Sequence, residues 1–269
     1  MIFEIELEKF LHQENLVFSK SDSVFPFYKI ENHHLVLHCI SLKKFSKAKI
    51  SDSYFANICD DLISKKMKVI HLWEDVWQNE NDLVKNRILA VCGKSKRLHA
   101  RQTEVKRLNQ KGTDAFLNAN HLQHTTNAYY KYALMLKDEL VAVATFSKSR
   151  VMNDGPVLYR SYELVRFCSL KGTTVNGGLS KLLKHFIVEH HPAHIMTYAD
   201  RDWSSGESYT KNGFAFLEKL PPQFFFIHPD KMIRIYAHRL DLTEKELLAK
   251  GYLKIVNSGN AKFILDRRK

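Results

Sequence analysis

The stretch from Tyr162 to Phe214 constrains this chain more than any other. It reads YELVRFCSL, KGTTVNGGLSKLLKHFIVEHH, PAHIMTYAD and RDWSSGESYTKNGF, the pattern of a strand, a glycine-bearing turn, an amphipathic helix, a strand, a polar turn and a short helix. Two strands joined by a helical crossover are expected to lie parallel, and such a sheet places ligands at the carboxyl ends of its strands. Arg166, Asn176, Ser180, Asp200, Arg201, Asp202, Ser204 and Tyr209 fall at or near those ends. A functional site is expected there.

The 269 residues, 45% hydrophobic and 26% charged, suit one large or two small globular domains and exclude a disordered chain. No apolar run reaches membrane-spanning length, and the opening MIFEIELEKF alternates charged and apolar residues. A cytoplasmic protein without a signal peptide or membrane partner is the expectation. Cys39, Cys59, Cys92 and Cys168 are scattered and form no CxxC pair, so neither a zinc site nor a disulfide framework is expected. The pairs His33-His34 and His190-His191 lack helical metal-ligand spacing, and no metal is predicted.

The net charge is +12, and between Lys94 and Lys111 seven basic residues (Lys94, Lys96, Arg97, Arg101, Lys106, Arg107, Lys111) face one acid, Glu104. Such a cluster is either a solvated surface or a contact for a polyanion, DNA above all.

In chain order, a short helix is expected around Glu4–His12, followed by strands FPFYKI and HHLVLHCI. A helix over Ser51–Met67 should bury Tyr54, Ile58 and Leu62; strand KVIHLW and a helix ending before Gly93 follow. Residues 1–93 therefore read as a small α/β domain and 94–112 as a basic connector. A second domain over 113–240 opens with helix DAFLNANHLQ and a hairpin turning at Lys137-Asp138. FFFIH and MIRIYAHRL should extend its sheet. Residues 241–269 should complete that domain, with a helix opened by a Thr243/Glu246 capping box and stopped by Gly251, then a hairpin of YLKIV and AKFIL around NSGN.

In VNGGLSKLLKHF, glycines precede a helix with apolar stripe Leu179, Leu182, Leu183, Phe186 and Ile187. Glycines at a helix start leave backbone N–H groups open to a phosphate or pyrophosphate, although tight turns also need glycine for structural reasons alone. Downstream, Tyr209 to Phe214 spell Y-x-x-x-G-F after a strand. Strand, glycine turn, helix, strand and this motif together resemble the core of the GNAT acyltransferase fold. The resemblance implies a mixed sheet with flanking helices and an acyl-coenzyme A cofactor bound by Asn176, Gly177, Gly178 and Ser180, with Tyr209 as acid toward the leaving thiolate. The loop departs from the family pattern [RQ]-x-x-G-x-[GA] at Val175 and Ser180.

IHLWEDVWQNENDLVKNRI, LHARQTEVKRL, FLNANHLQ, YELVRFCS, GGLSKLLKHFI, YADRDWSSGESYTKNGF and GYLKIVNSGN, in that order, resemble blocks of phage-type homing-endonuclease-like proteins in which a nuclease-like region precedes a GNAT-like domain. A PD-(D/E)xK site needs carboxylates and a lysine on adjacent strands to hold Mg²⁺ and support the attacking water. HHLVLHCI carries no acid, and the single Glu-x-Lys, Glu104 to Lys106, lies in the basic connector. The first domain therefore reads as a degenerate restriction-endonuclease-like domain. The order Arg166, Asp200, Tyr209 is also similar to the pattern of Mom-type DNA adenine-modifying proteins, in which a strand-end aspartate would serve an exocyclic amine. As chemistry, Asp200 could be a base, Arg166 an anion holder and Tyr209 a proton donor; Arg166 and Asp200 could equally brace two strands as a buried pair. His121, in NANHLQH, is a further candidate base, and Trp203 could stack on a nucleobase. The leading expectation is a group transferase acting on a nucleic acid base or another amine, with DNA as partner. The alternative is a homing-endonuclease-type DNA-binding or nuclease protein whose GNAT-like domain is not catalytic.

Overall fold

The computed structural model describes residues 2–236, 239 and 241–268. In chain order the first elements are α1 (Ile2–Gln13), β1 (Phe18–Lys20), β2 (Phe27–Ile30), β3 (Leu35–Ile40), α2 (Leu42–Phe45), α3 (Tyr54–Ser64), β4 (Lys68–Trp73), α4 (Glu74–Asn79) and α5 (Asn81–Val91). Next come β5 (Lys96–His99), β6 (Glu104–Arg107), α6 (Gln110–Asn120), β7 (Tyr130–Leu136), β8 (Glu139–Phe146), β9 (Arg150–Asp154), β10 (Val157–Ser169) and β11 (Thr173–Asn176). The remainder are α7 (Gly178–His190), β12 (His194–Asp200), α8 (Glu207–Thr210), β13 (Ala215–Lys219), β14 (Phe224–Ile227), β15 (Arg234–Tyr236), α9 (Glu244–Ala249), β16 (Leu253–Val256) and β17 (Asn260–Asp266). Among the described residues no helix is long and apolar enough to cross a membrane.

The chain divides into two compact units, both discontinuous in sequence. Unit 1 comprises Met1–Val84, Ala199–Ser205 and Lys219–Ala261; unit 2 comprises Lys85–Tyr198, Gly206–Glu218 and Lys262–Lys269. Segment 94–112, expected to be a connector, is folded into unit 2: β5 pairs in parallel with β11, and β6 pairs antiparallel with β7. Polar and basic side chains make the segment look like a linker, yet Leu98, Ala100 and Thr103 are buried and anchor it.

Unit 1 carries a sheet in the order β1-β2-β3-β4, the last pair parallel, and a separate sheet β15-β14-β16. Two expectations fail here. Phe224–Ile227 of FFFIH pairs with Arg234–Tyr236 of MIRIYAHRL, but in the separate sheet rather than as an extension of the mixed one; residues 237, 238 and 240 of the second stretch lie outside the described residues. Strands β16 and β17 form no hairpin and lie in different sheets. The NSGN turn explains the second. Asn257 Oδ1 accepts from Gln223 N–H at 2.7 Å and Gly259 N–H at 2.9 Å, while Ser258 N–H donates to Asp202 Oδ1 at 2.8 Å. These bonds tie the turn to Gln223 and Asp202 instead of closing it between β16 and β17. The core gathers Phe25, Ile40, Leu42, Phe55 and Trp73 with Phe225, Ile227, Ile255 and Val256. Helix α3 buries Phe55, Ala56 and Cys59 rather than the expected stripe of Tyr54, Ile58 and Leu62, because its aromatic Phe55 reaches Trp73 and His71. The Thr243/Glu246 capping box opens α9 as expected.

Unit 2 is a mixed sheet with flanking helices. Its strand order is β13-β17-β12-β10-β8-β7-β6, with β9 attached to β10. Strand β10 is antiparallel to β8 and parallel to β12. The crossover helix α7 buries Leu179, Leu182, Leu183 and Phe186, with Phe186 stacked on Phe146 of β8 at 3.9 Å.

The core of unit 1 includes two buried histidines, which the parallel register of β3 and β4 sets opposite each other. The Nδ1 atoms of His38 and His71 are 2.8 Å apart. His71 Nε2 lies 3.1 Å from the Phe55 carbonyl, which can only accept. One proton therefore sits on His71 Nε2, and His71 Nδ1 accepts from His38 Nδ1–H. Burial first, then the neighbouring imidazole, holds His38 well below the ordinary histidine range; burial also lowers His71. Above about pH 6.5 the unfolded chain is neutral at these positions too, and the pair adds no pH dependence. Below it the unfolded chain takes up protons that the fold refuses, so stability falls with pH by up to about 1.4 kcal/mol per pH unit for each histidine. Denaturant midpoints measured from pH 7 to pH 5 should decline in the native protein and decline less steeply in His38→Gln. Equal slopes in the two proteins would show that the pair does not titrate this way.

Candidate functional site

Strand β11 delivers the chain into the glycine turn, and β5 runs beside it in register, with Asn176 opposite His99. Gly177 is the N-cap of α7 with φ of 76°, a left-handed conformation that favours glycine. A Cβ at Gly178 would lie 3.2 Å from the Cβ of buried Val175. Val175, where the family pattern has Arg or Gln, is thus packed beneath the turn. Gly177 brings no capping side chain, and the first-turn N–H groups of Gly178, Leu179 and Ser180 have no partner within the helix. With the helix dipole they make an anion-receiving end. Asn176 and Gly177 are exposed and Ser180 is half-buried. Lys181 bonds the carbonyls of Ala100 and Thr103, pinning the turn after β5 against α7, and a Cβ at Gly177 would be 3.7 Å from that of Ala100. Exposed His99 and Arg101 flank this turn.

Beyond it lies the parting of two parallel strands. Strand β10 pairs with β12 only at Ser161, Tyr162 and Glu163, opposite His194, Ile195 and Met196. Further along, β10 continues against β8 through a bulge between Leu164 and Arg166, and Thr197 Oγ1–H donates to the Leu164 carbonyl at 2.9 Å. Bulges of this kind bend a strand and re-aim its side chains. Tyr162 packs on Phe186 of α7, so by strand alternation Glu163 points to the other face. Burial raises the Glu163 carboxyl above its ordinary range, against the opposing pull of Arg150 and Arg166. The sequence reading missed Glu163; its signal was a lone acid amid the apolar residues of YELVRF.

Arg166 donates from Nε to the His124 carbonyl at 3.3 Å and from Nη1 to the Val165 carbonyl at 2.9 Å. It is therefore bound to the segment after α6 that also contains His121. Two of the four catalytic candidates, Arg166 and His121, are brought together. His121 Nδ1 accepts from Gln123 N–H at 3.1 Å, so the neutral ring carries its proton on Nε2. Burial, then Arg166, Arg87 and His124, lowers its pKa to about 3. The expectation of a base near neutral pH meets a weakly basic ring that acts as an N–H donor.

Tyr209 stands in α8 and packs against Phe214 and Phe263 at 5.9 and 5.6 Å. The turn before it requires glycine: Gly206 has φ of 81°, and a Cβ there would come within 2.2 Å of the Phe263 ring. Asp200 belongs to unit 1, where Oδ1 accepts from Asp202 N–H at 3.0 Å and the carbonyl accepts from Trp203 and Ser204. Its neighbours are structural. Buried Arg201 donates to Ser258 O, Ala56 O and Asp60 Oδ1, and buried Asp202 accepts from Trp73 Nε1–H at 3.2 Å as well as from Ser258. Lys94, Lys96, Arg97, Arg101, Lys106, Arg107 and Lys111 are all exposed, and Arg107 pairs with Glu189. Glu104 and Lys106 lie on β6. Among the described residues no group of three His, Cys, Asp or Glu side chains is placed to hold a metal ion.

No protein-family model and no curated protein sequence matches the chain. Among solved structures it is similar to an acetyltransferase from Bacillus subtilis in complex with CoA, at 14% identity and TM-score 0.38, covering 61% of this chain and 98% of that one. An IAA acetyltransferase from Bacillus cereus gives 13% identity and TM-score 0.35 over 61% and 99%. A KacTA–DNA complex gives 19% identity and TM-score 0.32 over 44% and 87%.

The geometry around His121 yields a direct expectation. Its ring nitrogens, followed by ¹⁵N NMR, should show the Nε2–H tautomer from pH 8 down to pH 5 with no titration near neutrality. A midpoint near pH 6.5 for His121 would refute the burial and cationic surroundings as the controlling influences.

Proposed function

We propose that the chain is a GNAT-fold group transferase that moves an acyl or related group from a coenzyme A-type donor to an amine, with a nucleic acid base as the favoured acceptor. The parting of β10 and β12 immediately beyond Glu163, beside a helix that starts on uncapped amides, supports this reading most directly. The residues fit the donor in kind: Gly178, Leu179 and Ser180 offer N–H groups to a pyrophosphate, and Asn176 and Gly177 keep the approach free of bulk. A bound thioester donor supplies an electrophilic carbonyl and a thiolate leaving group. Glu163 takes the proton that the acceptor nitrogen loses as the C–N bond forms. Burial raises its pKa, which makes it a better base than an ordinary surface carboxylate. Tyr209, in the place the GNAT resemblance gives to the acid, returns a proton to sulfur as the C–S bond breaks. Arg166 holds negative charge on the acceptor, and His121 supplies an N–H donor beside it.

The exposed basic residues of β5, the following turn and β6 supply the surface for a polyanion. Arg107 is engaged by Glu189; about five or six phosphate contacts to this surface would make log affinity for duplex DNA fall with log salt at a slope of roughly −5. A flat titration would remove DNA from the proposal.

Calorimetry with coenzyme A tests the donor site, and binding should weaken in Gly178→Val. Glu163→Gln should bind coenzyme A as the parent does while losing about 10²-fold or more in kcat. An unchanged kcat would remove Glu163 from this role. DNA binding without any coenzyme A binding would instead favour a DNA-binding protein whose GNAT-like unit is not catalytic.

A further inference from the structure

The hairpin of β9 and the first residues of β10 presents a cluster of exposed apolar side chains in unit 2. Val151, Met152, Val157 and Leu158 are between 42% and 71% exposed. Strand β9 pairs with β10 alone, from Arg150 opposite Ser161 to Asp154 opposite Val157. One side of it is therefore an edge, and an edge bearing apolar side chains is a template for another strand.

The order of residues on that edge indicates which strand fits. Read antiparallel against itself about Met152, the sequence Arg150-Val151-Met152-Asn153-Asp154 sets Arg150 opposite Asp154 of the second copy, Val151 opposite Asn153, and Met152 opposite itself. Each end then carries an opposite-charge pair, and no like charges meet. A slip of one residue would lose both ion pairs and reverse the faces. The acid is held on the rim: Arg268 donates from Nη1 to Asp154 Oδ2 at 3.0 Å and lies over the Tyr159 ring at 4.2 Å. On one face Val151 is diagonal to Leu158, and on the other Met152 is diagonal to Val157, so pairing would shield apolar surface on both sides of the ribbon.

We propose that β9 pairs antiparallel with β9 of a second copy of this chain about a two-fold axis through Met152, forming an isologous dimer that joins the two mixed sheets edge to edge. The pairing is independent of the transferase reading, because it is argued from the edge of β9 and read out by association state alone. The strand is short, so the dimer should dissociate in the micromolar range.

Sedimentation velocity of the full chain over a dilution series should show a monomer–dimer equilibrium. Arg150→Asp and Asp154→Arg should each weaken it by about ten-fold or more, since each puts like charges opposite one another at both ends. The double variant, which exchanges the charges, should recover most of the lost affinity; circular dichroism on all three variants checks folding. Met152→Cys should form an intermolecular disulfide under mild oxidation, because directly opposed residues bring their Cα atoms within bridging distance. A native protein that stays monomeric across the series overturns the proposal. So does a dimer indifferent to the single exchanges, or a double variant no better than either one.

Discussion

The three-residue ladder between β10 and β12 is the constraint on which unit 2 depends. A parallel pair carries evenly spaced bonds for as long as both backbones stay level, and here they separate after Glu163 and Met196. The cause is local to β10: its bulge between Leu164 and Arg166 keeps the strand on β8 while turning it away from β12. The bond from Thr197 Oγ1 to Leu164 O satisfies one carbonyl at the fork and marks where the strands part. Each residue given a role along β10 takes its position from this fork. Glu163 is the last paired residue and Arg166 the first beyond the bulge.

Unit 1 is organised differently, around buried polar groups that are nearly all satisfied. Arg234 meets Asp75 with two bonds, at 2.5 and 3.0 Å, and lies over Trp73. Asp202 takes the Trp73 indole N–H, and Arg201 reaches two carbonyls and a carboxylate. Such pairs contribute little net stability, but removing one partner strands the other in a low dielectric. They define the arrangement of the chain more than they strengthen it. His38 Nε2 is an exception, a buried ring nitrogen without a hydrogen-bond partner.

The sequence made the crossover legible because periodicity reports burial directly. Four of the five residues in the predicted α7 stripe are buried, and β7 and β8 form the expected hairpin turning at Lys137-Asp138. It was less informative about polar residues, since charge and hydrogen-bonding capacity do not reveal which partner a group will find. Arg201 and Asp202 looked like site residues and are internal braces. Glu163 looked like an ordinary strand residue and stands at the fork. The basic segment looked like a linker because only Leu98, Ala100 and Thr103 betray its burial, and three inward side chains in such a run form no recognisable period. Long-range pairing was the least legible: nothing local distinguishes β16 and β17 in one hairpin from the same strands in two sheets.

The interrupted course of unit 1 has a consequence in time. Its core needs Phe25, Ile40, Phe55 and Trp73 together with Phe225, Ile227, Ile255 and Val256, and the long segment Lys85–Tyr198 of unit 2 is made between them. At the usual pace of about 5–20 residues per second, the amino-terminal strands wait on the order of ten seconds on the ribosome with an apolar face uncovered. Unit 2 can collect most of its strands first, so the later of the two units to mature in a cell is the one whose synthesis begins first.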